Sequence, residues 1–150
     1  MHAIRFDRST AKPEPRRGYV LTSATLKAAE LLKVSRGQLA RVIGVSAPTV
    51  SRMKSGAYLL SEERKEWSLA ALFVRASCSL DSIVAGRAED ARAWLHSPNR
   101  AFDGRVPAEL IADVQGLVHV VDYLDDARGA DAAELSAAPR AGNRAPATAP

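Results

Sequence analysis

The chain has 150 residues, room for one domain of ordinary size or for two small ones that share a core. Apolar residues make up 47% and aromatic ones only 5%, so the core is built mainly from Ala, Leu and Val, a balance that favours helices over sheets. A single cysteine, Cys78, excludes an internal disulfide and a cysteine-rich metal site, and the net charge of +4 leaves an anionic partner open.

In chain order, residues 1–20 are polar and basic, and Pro13 and Pro15 oppose a helix there. The expectation is a flexible basic N-terminus, in which Arg16 and Arg17 read as solvated. No apolar run follows Met1, so no secretory signal is expected. The first predicted helix is capped by Thr22 or Ser23 and runs to about Lys33, with Leu26, Ala29 and Leu32 on one side. Ser35 caps a second that reaches Ile43 and stops at Gly44, and Ser46 caps a third that ends near Gly56. Ser61 opens a fourth, with Glu62 and Glu63 suited to the positive end of its dipole.

That fourth helix is apolar on most sides. Trp67, Ala70, Ala71, Val74 and Cys78 form one stripe, and Leu69, Leu72, Phe73 and Ala76 a second. A helix of this kind is buried on most sides and belongs at the centre of the fold or of a dimer, with Cys78 as a small buried residue. A fifth helix is predicted over Ala88 to His96, a short one after Pro107, and a last one with Leu117, Val118, Val121 and Leu124 on one face. Residues 130–150, rich in Ala, Pro and Gly, have too little large apolar surface to offset their ordering entropy and read as a disordered tail. No segment alternates with a two-residue period and none repeats. The fold class is all-α, a helical bundle, and no apolar stretch approaches the ~20 residues that span a bilayer. A cytoplasmic protein without a membrane partner is expected.

The charge is unevenly spread. Residues 1–66 hold 13 Lys/Arg against 6 Asp/Glu, residues 67–129 hold 6 against 9, and the tail holds 2 of each. The basic front half points to an anionic partner for that half.

A motif lies inside it. In "RGQLARVIGVSAPTVSRMKS", residues 36–55, Ala40 is small where two helices approach closely, and Gly44 follows four residues later at a tight turn. Leu39, Ile43, Val45, Val50 and Met53 supply apolar anchors, and the residues between them on the third helix are small or basic. This is the pattern of a DNA-binding helix-turn-helix whose second helix enters the major groove. On that helix Arg52 suits a guanine edge, Thr49 and Ser51 a phosphate or base edge, and Lys54 a phosphate, with Ser46 and Ala47 at the leading end. One such unit reads few base pairs, so a homodimer on operator DNA is expected.

A second motif is "WLHSPNRAFDGRVPAEL", residues 94–110, followed by "GLVHVVDYLDDARG". Trp94 is in phase with Ala91 and Leu95 and reads as core. Pro98 stiffens the loop, Asn99 can tie its own backbone, and Gly104 ends on a turn ahead of Pro107. His2, His96 and His119 are too scattered to hold a metal, and Ser97 has no oxyanion motif beside it. No catalytic residue, metal site or cofactor site is defensible.

The order Trp94, Leu95, Pro98, Asn99, Gly104, Arg105, Pro107, Glu109 and Leu110, continued by Gly116, Val120 and Leu124, resembles the C-terminal domain of Xre/ParS/MbcA-type antitoxins, and the helix-turn-helix ahead of it resembles theirs. The resemblance covers roughly residues 22–129. Phe102 stands where that family more often has Leu, Asp103 where a second Gly is common, and Val106 and Ala108 also depart. The resemblance implies an antitoxin that neutralises a RES-domain, NAD-consuming toxin and represses the shared operon. It divides the chain into a helix-turn-helix domain at 21–66 and a dimerisation and toxin-binding domain at 67–129. A rigid loop lowers the ordering cost of binding a partner. Arg100, Phe102, Asp103 and Arg105 are the expected toxin-facing residues, together with Asp125, Asp126 and Arg128 near the end of the last helix. The alternative is a stand-alone dimeric transcriptional regulator.

Overall fold

A computed structural model of the chain describes residues 13–130. The expected tail and most of the expected flexible arm lie outside the described residues. Within them the chain forms α1 (Pro13–Leu31), α2 (Arg36–Ile43), α3 (Ala47–Ser55), α4 (Glu66–Ile83), α5 (Ala88–Leu95), a single 3-10 turn at Arg100–Phe102, α6 (Pro107–Leu110) and α7 (Val114–Arg128). The all-α expectation holds, since no strand occurs among the described residues.

The first helix departs from its prediction. It starts at Pro13, so both prolines fall in its first turn, where a backbone N–H has no intrahelical partner and a fixed φ suits the helix. Thr22, expected as a cap, is buried inside α1 and its Oγ1 accepts the Leu60 N–H at 2.9 Å. Gly18 admits the same segment, because a Cβ there would stand 2.4 Å from the Leu60 carbonyl oxygen. At the other end, the Val34 N–H bonds to Ala29 O and the Lys33 N–H to Glu30 O, and Lys33 takes a φ of 56° to close the helix.

Ser35 caps α2 in a reciprocal box with Gln38, and Gly44 ends it at φ 79°. The fourth helix begins at Glu66, not at Ser61. With Leu60 pinned to α1, the chain turns through residues 62–65, and Glu62 pairs with Arg17 instead of lying on a first helical turn. Glu66 itself is buried, and its carboxylate accepts the Tyr58 hydroxyl.

α4 is the centre, in contact with α1, α2, α5 and α7. Its fully covered face is Ala70, Phe73, Ala76, Ser77, Leu80 and Ile83. Trp67, Leu69, Leu72 and Val74 are half-buried. Ala71 and Cys78 are exposed, against expectation, because α1 and α7 cover neighbouring sides of α4 and leave that strip open. In α7 the covered residues are Gly116, Leu117, Val120, Val121 and Leu124. Val118, expected in the core, is 40% exposed, and Val120 takes the inner place. Gly116 lets α7 lie against the end of α6, since a Cβ there would sit 1.9 Å from Leu110 O.

Candidate functional site

The helix-turn-helix is α2 and α3. Ser46 caps α3 by accepting the Thr49 N–H at 3.2 Å, Pro48 occupies the first turn, and Gly56 closes the helix at φ 85°. Val50 and Met53 anchor its inner face, while Arg52 and Lys54 are exposed and Ala47 and Ser51 are half-buried. Two expected DNA contacts are redirected. Thr49 is buried, and its Oγ1 meets Arg52 Nη2 at 2.9 Å and Ser46 Oγ at 2.9 Å, so it braces Arg52 and cannot itself reach a phosphate. Its position on the inner edge of the helix, one residue before Val50, explains this. Ser51 accepts Arg36 Nη1 at 2.8 Å.

Arg36 is a further basic residue of the motif, beyond those its local pattern marks. It opens α2, and the bond to Ser51 holds an exposed guanidinium across the face of α3. A basic residue at the head of the motif is visible in the sequence; its reach across fifteen positions is a property of the fold.

The loop after α5 is a closed turn. The Asn99 N–H donates to Arg105 O at 3.0 Å, the Gly104 N–H donates to Asn99 O at 2.8 Å, and Asn99 Oδ1 accepts the Ala101 N–H at 2.8 Å. Asn99 is fully buried. Asp103 and Gly104 both lie in the left-handed region, at φ 59° and 80°. Asp is among the few side chains that tolerate this conformation.

Trp94 is fully buried, as expected. It stacks on Tyr123 at 6.1 Å and meets Phe102 edge to face at 6.0 Å. Phe102 also meets His119 at 5.1 Å and Tyr123 at 5.2 Å. Phe102 is therefore not partner-facing. The 3-10 turn swings its ring inward, where it fastens the loop to α7. Burial pushes the Tyr123 phenol above its ordinary value. Trp94 Nε1 and Asn99 Nδ2 are buried with no hydrogen-bond partner among the described residues.

Arg100, Asp103 and Arg105 remain exposed on the outside of this turn, and Pro98 beside it is exposed too. Pro107 is buried and starts α6. Near the end of α7, Asp126 is exposed. Asp125 and Arg128 are tied into the chain instead. Asp125 pairs with Arg75 at 2.7 Å and accepts Ser79 Oγ at 3.1 Å, and Arg128 Nη1 donates to the same hydroxyl at 3.1 Å. These bonds fasten α7 to α4 between residues at least 46 positions apart in the chain, beyond the reach of any local pattern.

Two further bonds join the halves. From α5, Arg92 Nε donates to Leu31 O at 2.7 Å and His96 Nε2 to Leu32 O at 2.8 Å, satisfying carbonyls at the end of α1. These bonds fasten the end of α1 to α5 and the residue that follows it. Among the described residues no group of His, Cys, Asp or Glu is placed to hold a metal ion.

A capped helix-turn-helix fused through a central helix to a small helical domain with a rigid loop defines the class: a two-part helical protein with a DNA-reading type of motif at one end. Residues 14–75 match the model of the antitoxin Xre-like helix-turn-helix domain, and residues 79–129 match that of the antitoxin Xre/MbcA/ParS C-terminal toxin-binding domain. The chain belongs to the Xre/MbcA/ParS antitoxin family. The crystal structure of the M. tuberculosis MbcT–MbcA toxin–antitoxin complex contains a chain of similar fold, at a TM-score of 0.55 and 23% identity, over 79% of this chain and 96% of that one. No curated protein matches the sequence.

Proposed function

We propose that this chain neutralises a RES-domain, NAD-consuming toxin through residues 79–129 and represses its own operon through α2 and α3. The observation that carries this reading is the succession, in one chain, of an antitoxin-type helix-turn-helix and an antitoxin toxin-binding domain. Arg52 is the base reader, Arg36 and Lys54 hold phosphates, and Ser46, Ala47 and Ser51 line the approach. On the toxin side Arg100, Asp103 and Arg105 are the contacts, presented by a loop that needs no ordering on binding, together with Asp126 near the end of α7. The protein acts in the cytoplasm as a homodimer on half-sites spaced by one DNA turn, ~34 Å, or a multiple.

The test is cellular NAD during expression of the neighbouring toxin gene, with and without this chain. NAD should collapse with the toxin alone and recover with the antitoxin. If NAD never falls, the stand-alone dimeric regulator is the reading that survives. In parallel, Arg52→Ala should weaken specific operator binding by about 1–3 kcal/mol and leave toxin binding intact. Unchanged operator affinity would remove α3 as the reader.

A further inference from the structure

Across residues 79–129 folding leaves two large apolar side chains exposed, Val114 at 55% and Val118 at 40%. Single exposed valines need no explanation. These two stand one turn apart on α7, and the same i, i+4 row continues outward as Asp122 and Asp126, both exposed. Asp125 is engaged by Arg75, whereas neither Asp122 nor Asp126 has an ion partner among the described residues.

We infer that this row of α7 is the docking strip for the toxin, and that the toxin meets it with an apolar side chain against Val114 and Val118 and cationic groups against Asp122 and Asp126. The inference rests on the toxin-binding reading of residues 79–129 and adds the face and the chemistry. The row is amphipathic along its length, apolar at one end and acidic at the other, so it fits a partner with the complementary order. A second copy of this chain does not fit. A two-fold antiparallel pairing of the row sets Val114 against Asp126 and Val118 against Asp122, and a parallel pairing sets aspartate against aspartate. Both put unpaired carboxylates into the contact. The row also lies in the acidic half of the sequence, residues 67–129, whereas α3 lies in the basic half.

The experiment is titration calorimetry of the full chain against the purified product of the neighbouring toxin gene, for wild type, Val118→Asp and the double variant Asp122→Lys/Asp126→Lys. All three positions are exposed, so melting temperature and operator binding should be unchanged. Val118→Asp should lower toxin affinity about 30-fold, as loss of a central apolar anchor does. The double variant should weaken binding most at low salt, where the lost attraction counts most. Wild-type affinity in both variants overturns the strip. So does an unchanged toxin affinity with a dimer converted to monomer, because the row is then a self-contact. If the wild-type chain itself does not bind, it is the toxin-binding reading that fails, and the strip falls with it.

Discussion

Arg52, the proposed base reader, illustrates how a side chain is held ready by residues of its own helix and cap. A free arginine surrenders rotamer entropy on docking. Here the Thr49 hydroxyl, itself bonded to the cap Ser46, already holds the guanidinium above α3. Thr49→Val keeps the shape and removes both bonds. Operator affinity should fall, by less than in Arg52→Ala, and the double variant should bind no more weakly than Arg52→Ala alone; additive losses in that cycle would show Thr49 acting independently. Tyr58 and Glu66 pose a different residue-scale question, that of a buried acid. The hydrogen bond to the Glu66 carboxylate, with burial next, raises the Tyr58 phenol above its ordinary value of 10.0. A raised folded value means the bond's stabilisation is complete below pH 10.0 and is lost as pH rises through the folded value. Tyr58→Phe should cost about 1–3 kcal/mol near neutral pH, by leaving a buried carboxylate oxygen unmet, and should make the alkaline decline of stability shallower. Denaturant midpoints of both proteins across pH 7 to 11 check the pair of effects.

At the scale of elements, the helices most legible in the sequence were those whose ends are set locally. Ser35 with Gln38, Ser46, Gly44 and Gly56 act within a few residues, and α2 and α3 start and stop where those residues say. The ends that escaped were set at long range. α4 gives up its first turn because Leu60 is held by Thr22, thirty-eight residues away, and α1 gains its first turns by packing Gly18 against Leu60. The proposed toxin-facing set is legible in part for the same reason. Local pattern marks a rigid loop, but only the packed fold decides that Phe102 turns in while Arg100 and Arg105 stay out. Glycines separate the two kinds of constraint by sign. Gly116→Ala drives a Cβ into the Leu110 carbonyl, so it should destabilise by about 1–3 kcal/mol or more. Gly37→Ala, inside α2 with nothing near its Cβ, should stabilise by about 0.5–1 kcal/mol. Equal shifts in the two unfolding midpoints would mean that helix packing does not fix Gly116.

For the whole molecule the decisive element is α4. The helix-turn-helix match ends at residue 75 and the toxin-binding match begins at residue 79, so both domains end inside a helix that runs from Glu66 to Ile83. A boundary between residues 66 and 67 would cut α4 after its first residue, although α1 and α2 both pack on that helix. Arg92 and His96 add polar fastenings across the same junction. Two lobes sharing one central helix and one contiguous core should unfold together. Calorimetry of the full chain should therefore show a single transition with equal calorimetric and van't Hoff enthalpies, and a fragment ending at residue 66 should show no cooperative melting. Two resolved transitions, or a fragment that folds, would make the halves independent. The toxin binding proposed for α7 would have a mechanical route to α2 and α3 through this helix, because α7 and α2 both pack on α4. Arg92→Ala, which frees one carbonyl at the end of α1, should weaken that route: the change in operator affinity on adding toxin should shrink while each separate affinity is nearly kept. Coupling of the wild-type size in that variant would assign the route to α4 packing alone.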